Sequence, residues 1–363
     1  MFRPGFLAIA VSCALSGAAI AQTTPTPSPY SANYVFGDSL SDQGNLAEYL
    51  RHNFPSPPSY HDSFTNGPVA VQVLSQRLGL TLTPSLFATG FVDKYNLGLT
   101  GDGTNYAVAG STAGNAMGVQ GGNLPTQVGA FLARSGGTAS SSALYTVFIG
   151  GNDVRTAAHQ GDTGYVTGGI ASELANIRSL YAAGARNFLV VNVPDIGRIP
   201  EFQLGYPTQV SLASSDTVLF NQMLSNELTD FKASNPLAKV TPFDLAAFQS
   251  QLLQNPGAYG ITDTTTPCYT SYTGITTPDT GYAVSAACGA IDPVTGQPAN
   301  IDKLAFWDAI HPTAVVQRAI GNALADAVLA TPEPATWLTM VLGFGLIGTA
   351  LRRRRGGERP ALA

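Results

Sequence analysis

The chain has 363 residues, of which 44% are hydrophobic and 11% are charged, a balance typical of a globular protein with a sizeable core. Removing Arg3, the five arginines after residue 351, Glu333 and Glu358 from the totals leaves 12 basic and 21 acidic residues in the body of the chain. A body this acidic excludes nucleic acid as a partner, because phosphate binding needs clustered Lys and Arg.

The first residues are typical of a secretory signal peptide. Arg3 precedes an apolar run that ends in Ala19-Ile20-Ala21, a small-x-small cleavage site. The run is too short to favour a transmembrane anchor. We therefore expect export and removal of residues 1–21. A Pro/Thr/Ser linker over residues 22–29 should then lead into one folded domain over residues 30–330.

Short apolar runs alternate with helical patterns through this domain. The apolar runs predict strands at 34–36, 143–149, 187–193 and 238–243. Apolar residues at helical spacing predict helices at 69–78, 167–183, 214–233 and 313–329. This alternation predicts a three-layer α/β/α sandwich with a central, mostly parallel sheet. Ligands bind such sheets beyond the carboxyl ends of the strands.

Residues 256–300 have weaker periodicity, so we expect a long ordered insertion or a lid there. Cys268 and Cys288 lie within this stretch, whereas Cys13 lies in the signal peptide. Because an exported chain meets an oxidising compartment, we expect a Cys268–Cys288 disulfide, with two unpaired thiols as the alternative. A zinc site would lack ligands, since neither Cys-x-x-Cys spacing nor a nearby His cluster is present.

A serine near the start of the domain and a histidine near its end are a candidate nucleophile and base. Ser39 follows Gly37-Asp38, where the first strand is expected to turn into a helix whose N-terminus would favour an oxyanion at the Ser39 amide. His311 follows Asp308 by three residues, so one loop can present both side chains to a common point. The alternatives are a serine that caps a helix and a histidine on a surface turn.

Two further residues are candidate donors to an oxyanion. Asn152 lies just beyond the end of the strand predicted at 143–149, and its neutral amide can stabilise an oxyanion without titrating. Gly110 allows close approach of a backbone N–H, since it has no Cβ. The alternatives are an asparagine in a left-handed turn and an ordinary loop glycine. Surface positions are expected for the remaining histidines, His52, His61 and His159.

Together these segments resemble the GDSL lipase/esterase family of the SGNH hydrolases over most of residues 34–329. The matching residues are Gly37-Asp38-Ser39-Leu40-Ser41-Asp42, Gly44-Asn45, Gly150-x-Asn152-Asp153, Val193 to Pro200, and Asp308-x-x-His311-Pro312-Thr313. The resemblance implies a flavodoxin-like fold and a Ser39, His311, Asp308 triad without metal or organic cofactor. It also implies an oxyanion hole of Ser39, Gly110 and Asn152. Ala109-Gly110 stands where family members often have two glycines, which leaves open which of these amides donates.

The C-terminal residues resemble the PEP-CTERM sorting signal of Gram-negative bacteria. Pro332-Glu333-Pro334 precedes an apolar segment that ends at Leu351 and a cluster, Arg352 to Arg355. We assign the signal to residues 331–355 and a tail to residues 356–363. The resemblance implies transient inner-membrane contact through the apolar helix, a sorting protease of exosortase type as partner, and delivery to the surface or medium. A permanent transmembrane anchor is the alternative.

The combined prediction is an exported serine esterase or lipase that hydrolyses lipid, short-chain or acetylated-carbohydrate esters through an acyl-enzyme. A carbohydrate O-acetylesterase and a non-catalytic surface or matrix protein on the same scaffold are the alternatives. Aromatic residues are candidate walls of an acyl pocket, with burial in the core as the competing interpretation: Phe87, Phe91, Phe202 and Tyr206.

Overall fold

The computed structural model describes residues 28–50, 59–86, 102–114, 122–270 and 283–330. The predicted signal peptide, most of the linker, the sorting signal and the tail lie outside the described residues. Within these ranges, no helix combines the length and apolar character needed to cross a membrane.

Four parallel strands form the central sheet in the spatial order β1-β2-β3-β4. Their bounds are Asn33–Gly37 for β1, Leu144–Phe148 for β2, Asn187–Val191 for β3 and Lys239–Phe243 for β4. Each strand lies within two residues of its predicted position. Every residue of β2 is buried, as expected of a strand covered on both faces.

The register of the sheet brings the carboxyl ends of the strands level. Gly37 of β1 lies opposite Phe148 of β2, and Phe148 lies opposite Val191 of β3. The chain therefore leaves β1 and β2 at neighbouring points of one edge. This places the segment that carries Ser39 beside the segment that carries Asn152.

Eight α-helices occur within the described residues. They are α1 Asn45–Leu50, α2 Ala70–Arg77, α3 Leu124–Arg134, α4 Gly151–Gln160, α5 Gly164–Ala183, α6 Val210–Ser234, α7 Leu245–Gln254 and α8 Ala314–Leu329. Helices α3 to α6 pack against one another, and α2 packs along α8. The helices flank the parallel sheet, so the fold is the predicted three-layer α/β/α sandwich.

The four predicted helices correspond to α2, α5, α6 and α8, with α6 beginning four residues before its predicted start. The sequence pattern does not predict α1, α3, α4 or α7. The start of helix α4 is hard to predict because the helix begins at Gly151, and Gly150 before it has φ 109°. Glycine is a poor helix former, so this segment reads as a loop.

A second, smaller sheet joins the predicted insertion to the end of the domain. Its parallel strands are β5, Asp263–Pro267, and β6, Leu304–Phe306. A disulfide joins Cys268 to Cys288, whose Cα atoms lie 5.1 Å apart. Both cysteines are buried in a second apolar core with Leu46, Phe64, Val108, Ile301, Leu304 and Trp307. The described part of this stretch is therefore an ordered insertion that supports the last strand, not a lid.

Candidate active site

Ser39 lies in a tight turn directly after β1. The Asp38 carbonyl oxygen accepts hydrogen bonds from the amides of Ser41 and Asp42, each 3.0 Å long. Helix α1 begins only at Asn45, so the prediction that the strand turns directly into a helix at Ser39 is wrong. The amide of Ser39 therefore owes its availability to the turn, not to the end of a helix.

Gly37 and Gln127 fix the start of this turn. A Cβ at Gly37 would lie 2.6 Å from the Phe148 carbonyl oxygen, so the close pairing of β1 with β2 needs glycine here. The Gln127 side chain accepts from the Gly37 amide at 2.8 Å and donates to the Gly37 carbonyl at 2.7 Å. No local pattern in the sequence indicates this contact, because Gln127 lies 90 residues away on α3.

Asp308 and His311 form one turn that follows β6 and faces Ser39. Asp308 Oδ1 accepts from the His311 amide at 2.6 Å, and Oδ2 lies 2.8 Å from His311 Nδ1. His311 Nε2 lies 2.8 Å from Ser39 Oγ. The Phe64 ring packs on the imidazole with centroids 4.7 Å apart. A continuous hydrogen-bonded chain thus links three buried side chains that are brought together from opposite ends of the domain.

The loop after residue 105 packs on the turn that carries Ser39, through the bond from the Val108 amide to the Gly37 carbonyl, and offers one free amide. The Ala109 amide donates to Asp42 Oδ2 at 2.7 Å, so it is already occupied. Gly110 has φ 79°, a left-handed conformation that favours glycine. In the described part of the chain, neither the Gly110 amide nor the Ser39 amide has a hydrogen-bond acceptor. Of the two candidate loop amides, Gly110 is the one left available.

Asn152 lies in the first turn of α4, beyond the end of β2. Its Nδ2 donates to the Ser111 carbonyl at 2.9 Å, which orients the amide and leaves its second proton available. A Cβ at Gly150 would collide with the Phe220 ring of α6. The position of Asn152 is therefore fixed both by the loop that contains Gly110 and by the packing of α4 on α6.

The buried carboxylate of Asp42 joins the turn after β1 to the loop that carries Ala109. It accepts from the amides of Gly44 at 2.8 Å, Asn45 at 2.7 Å, Leu46 at 3.1 Å and Ala109 at 2.7 Å. Burial raises the pKa of Asp42 to about 6, and these four N–H groups oppose the rise. The bond to Ala109 spans 67 residues, so sequence reasoning did not find it.

A second buried carboxylate supports the loop next to Asn152. Asp153 accepts from the Ala113 amide at 2.8 Å and the Gly114 amide at 3.2 Å, and burial raises its pKa to about 6. On α5, Glu173 is fully buried, and neither carboxyl oxygen has a hydrogen-bond partner in the described structure. Burial, and then the nearby Asp153, raise the pKa of Glu173 well above its ordinary value.

Asp38 is a titratable group directly beside the candidate nucleophile. Its Oδ1 accepts from the Leu40 amide at 3.0 Å. Burial raises the pKa of Asp38 to about 7, although this amide and the nearby His311 oppose the rise. Asp38 therefore changes charge near neutral pH within the immediate surroundings of Ser39.

Two of the aromatic residues proposed as pocket walls, Phe202 and Tyr206, do not line the cavity beside Ser39. Phe202 is fully buried in the main core, and Tyr206 is 47% exposed. Neither belongs to the cavity wall, so that prediction is wrong for both, and the core interpretation holds for Phe202. Phe87 and Phe91 lie outside the described residues.

Two of the histidines expected at the surface are described, and both are half-buried. His159 Nδ1 lies 3.1 Å from Gln209 Oε1, and its Nε2 lies 3.4 Å from Glu201 Oε1. His61 has φ 48° in a tight turn. The surface prediction is therefore wrong for His159, which packs among polar and aromatic neighbours. His52 lies outside the described residues.

Across the described ranges, no group of three or more His, Cys, Asp or Glu side chains is arranged to hold a metal ion.

A family model described as GDSL-like lipase/acylhydrolase matches residues 34–324. The chain belongs to this family. As a GDSL-like acylhydrolase it is a carboxylic ester hydrolase, as the motifs predicted.

Named relatives include both bacterial and plant proteins. A GDSL esterase/lipase of Arabidopsis thaliana is 26% identical over 88% of this chain and 94% of its own length. A phosphatidylcholine-sterol acyltransferase of Aeromonas hydrophila is 26% identical, covering 82% of this chain and 90% of that protein. Esterase EstA of Pseudomonas aeruginosa is 28% identical over 89% of this chain. The chain spans about half the length of EstA and of an uncharacterised Pseudomonas putida relative, at 50% and 52%.

A second model, the PEP-CTERM protein-sorting motif, matches residues 330–355. This acylhydrolase is therefore exported to the surface or surroundings of a Gram-negative bacterium, as predicted. The apolar helix predicted within the motif lies outside the described residues.

Proposed function

We propose that this GDSL hydrolase cleaves carboxylic esters with Ser39 as nucleophile, His311 as general base and acid, and Asp308 as the group that orients His311. The observation that carries the proposal is the hydrogen-bonded chain from Asp308 through His311 to Ser39 Oγ. A serine hydroxyl is a weak nucleophile until a base removes its proton. His311 Nε2 lies 2.8 Å from that hydroxyl, within the range for direct transfer.

In the first half-reaction, Ser39 Oγ forms a bond to the ester carbonyl carbon while its proton passes to His311 Nε2. Asp308 holds the Nδ1 proton and stabilises the imidazolium that results. The tetrahedral intermediate then breaks its bond to the alcohol oxygen, and His311 returns the proton to that oxygen. The alcohol leaves, and the acyl group remains esterified to Ser39.

In the second half-reaction, His311 removes a proton from water as the water oxygen attacks the acyl carbon. The bond from that carbon to Ser39 Oγ breaks, and His311 gives the proton back to Ser39. The products are a carboxylic acid and the free enzyme. The cycle needs no metal or organic cofactor.

The oxyanion of each tetrahedral intermediate is held by the amides of Ser39 and Gly110 and the side-chain amide of Asn152. Loss of one such donor typically costs about 3 kcal/mol of transition-state stabilisation. The occupied Ala109 amide supports Gly110 as the loop donor. We expect Asn152→Ala to lower kcat by about a hundredfold or more with little change in KM.

We also propose that a sorting protease of exosortase type removes the C-terminal segment after transient contact of its apolar helix with the inner membrane. The match to the sorting motif supports this step. The mass of the protein recovered from the cell surface or medium tests it, since a mass that includes residues 331–363 would contradict removal.

The catalytic proposal is tested with a fluorophosphonate probe and a short-chain nitrophenyl ester. Wild type should be labelled, and Ser39→Ala should lose labelling and at least about a thousandfold in kcat. Ser41→Ala is the matched control, because the Ser41 hydroxyl is buried two residues away without a partner in the described structure. Folded wild-type protein that neither takes the probe nor cleaves any ester would instead support the non-catalytic scaffold.

A further inference from the structure

An apolar cavity opens beside Ser39 at the carboxyl edge of the sheet. Ser39, Leu40 and Asn152 form one end of its wall. Helices α7 and α8 contribute six apolar side chains to the rest: Leu245, Phe248, Leu252, Leu253, Val316 and Ile320. The cavity volume is about 90 Å³, several times the space that one water molecule needs.

Away from Ser39, the polar groups of the wall are already paired. Gln249 accepts from the Asp195 amide at 2.7 Å and donates to the Asp195 carbonyl at 3.4 Å. The Arg155 guanidinium makes two hydrogen bonds to the Glu201 carboxylate, one of them 2.8 Å long. A polar ligand such as a sugar ring would lose its hydrogen bonds to water on entering this cavity, and the paired wall groups would not replace them. An aliphatic chain gains from the same burial.

The wall also indicates which part of an ester enters the cavity. The leaving alcohol oxygen must reach His311 Nε2 to be protonated. Within the described structure, Ser39 and Asn152 belong to the cavity wall. Ile310 and Pro312 also line the cavity, but His311 between them does not. The alcohol therefore lies on the side of His311, outside the cavity, and the acyl chain points inward.

The length of the cavity follows from its helical walls. Leu245 and Leu252 both line it, and seven residues of helix rise by about 10 Å. One extended residue of a polypeptide spans about 3.6 Å over three backbone bonds, or about 1.2 Å per bond. An extended acyl chain advances by a similar distance per bond. The wall of α7 thus accommodates a chain of about eight bonds.

We propose that this cavity is the acyl-binding site and selects esters of unbranched, medium-chain fatty acids of about six to eight carbons. This inference rests on the proposed function, because the chain is positioned by attachment to Ser39. Val316 of α8 and Leu253 of α7 are its specificity-determining residues. An acetyl group leaves most of the cavity unfilled, so acetylated polysaccharide is a poor substrate.

Two matched ester series test the proposal on the exported protein. In the first, the alcohol is always p-nitrophenol and the acyl chain runs from two to twelve carbons, each ester below its micelle concentration. We expect kcat/KM to rise by up to about fourfold per methylene and to peak at six to eight carbons. In the second, the acyl group is always butyryl and the alcohol runs from methanol to octanol. Here we expect changes within about threefold.

Two substitutions at the cavity wall should shorten the preferred chain. Val316→Phe fills the cavity from α8, and we expect the ratio of kcat/KM for octanoate to that for acetate to fall at least about tenfold. Val315→Phe is the matched control, since Val315 is buried to a similar extent, 9% against 8% exposed, but does not line the cavity. Leu253→Trp, at a half-buried position, makes the same test from α7 if Val316→Phe does not fold.

The outcomes separate this inference from the proposed function. Probe labelling and acetate cleavage with a flat acyl series, or a preference that follows the alcohol chain, would overturn the acyl site and leave the catalytic proposal standing. An unchanged octanoate-to-acetate ratio in both folded wall variants would also overturn it. A protein that labels with no probe and cleaves no ester would overturn both proposals.

Discussion

Two regions of this molecule bury carboxyl groups in opposite ways. Around Asp42, four backbone amides from the turn after β1 and from the Ala109 loop surround one carboxylate. On α5, the Glu173 carboxyl group is equally buried but has no partner among the described residues. The first arrangement compensates desolvation with hydrogen bonds and fixes two segments of the site. The second leaves the cost uncompensated.

The contrast between Asp42 and Glu173 indicates which buried carboxyl group contributes to both stability and function. Asp42 accepts a hydrogen bond from the Ala109 amide, and Ala109 directly precedes the candidate oxyanion donor Gly110. The orphaned carboxyl group of Glu173 lies behind Asp153, one residue after Asn152, and contacts no substrate-facing atom described above. We therefore expect the Asp42 region to be sensitive in both stability and activity, and Glu173 in stability alone.

The largest effect is expected for Asp42→Asn. The amide would direct donor hydrogens at N–H groups that now donate to a carboxylate, so the free energy of unfolding should fall by about 3 kcal/mol or more. The loop of Ala109 would shift, and kcat should fall at least about tenfold. Urea denaturation and ester kinetics measure the two effects. Asp244→Asn, at the exposed N-cap of α7, is the control and should change the free energy of unfolding by only about 0.5 kcal/mol or less, without loss of kcat, because Asn and Asp are equally good N-caps. Equal losses of stability and of kcat in Asp42→Asn and Asp244→Asn would contradict the special role assigned to Asp42.

The second effect concerns the disulfide beneath the Asp42 region. Cys268→Ser combined with Cys288→Ser opens a loop with a sequence separation of 20 and should lower the free energy of unfolding by about 3 kcal/mol. Activity at 25 °C should be retained, because the second core and the Asp42 hydrogen bonds still hold the loops. Thermal unfolding followed by residual kcat/KM measures both. A variant that is stable but inactive would show that the covalent link, not Asp42, positions the site.

The third effect is a pH-dependent stabilisation in Glu173→Gln. Below the ordinary pKa of 4.5 both folded and unfolded chains are protonated at Glu173, so the substitution should be nearly neutral. As pH rises above that value, the unfolded chain loses the proton while the folded chain retains it, so wild type loses stability. At pH 8 the variant should be more stable by about 1–3 kcal/mol, with kcat unchanged.

Denaturation at pH 4 and pH 8 measures this difference. Glu227→Gln is the control, since Glu227 lies on the surface in an exposed pair with Arg178, and its effect should stay within about 0.5 kcal/mol at both pH values. If Glu173→Gln raised the free energy of unfolding equally at pH 4 and pH 8, the folded chain would not keep the Glu173 proton as proposed.

The smallest effect is the coupling between Asp153 and Glu173. Because Asp153 adds to the raised pKa of Glu173, the gain from Glu173→Gln at pH 8 should be smaller in an Asp153→Asn background. A double-mutant cycle should give a coupling of about 0.5–1 kcal/mol. Additive effects would mean that burial alone sets the state of Glu173.

The sequence was sufficient to predict the layers and the motifs because both depend on local patterns. The four strands of the sheet are short apolar runs, and the segments after β1 and β2 follow them directly. The turn from Asp308 to His311 is also local, since its hydrogen bonds span three residues. Parallel pairing then brings distant strand ends to one edge.

The remaining features depend on contacts that no local pattern records. Gln127 bonds Gly37 across 90 residues and Asp42 bonds Ala109 across 67. The strand β6 has three residues and is defined by its pairing with β5 rather than by its own composition. The acyl-site prediction placed weight on aromatic residues, whereas the cavity wall is mostly aliphatic and is assembled from helices, strand ends and loops that are distant in the sequence.

The proposed nucleophile, Ser39, and the proposed base, His311, lie 272 positions apart in the chain, whereas His311 and Asp308 share a single turn. During export the Asp308–His311 turn can form early, because its hydrogen bonds are local. Ser39 reaches His311 only when the segments after β1 and β6 have come together. If the proposed triad is correct, activity begins only when the native topology is complete.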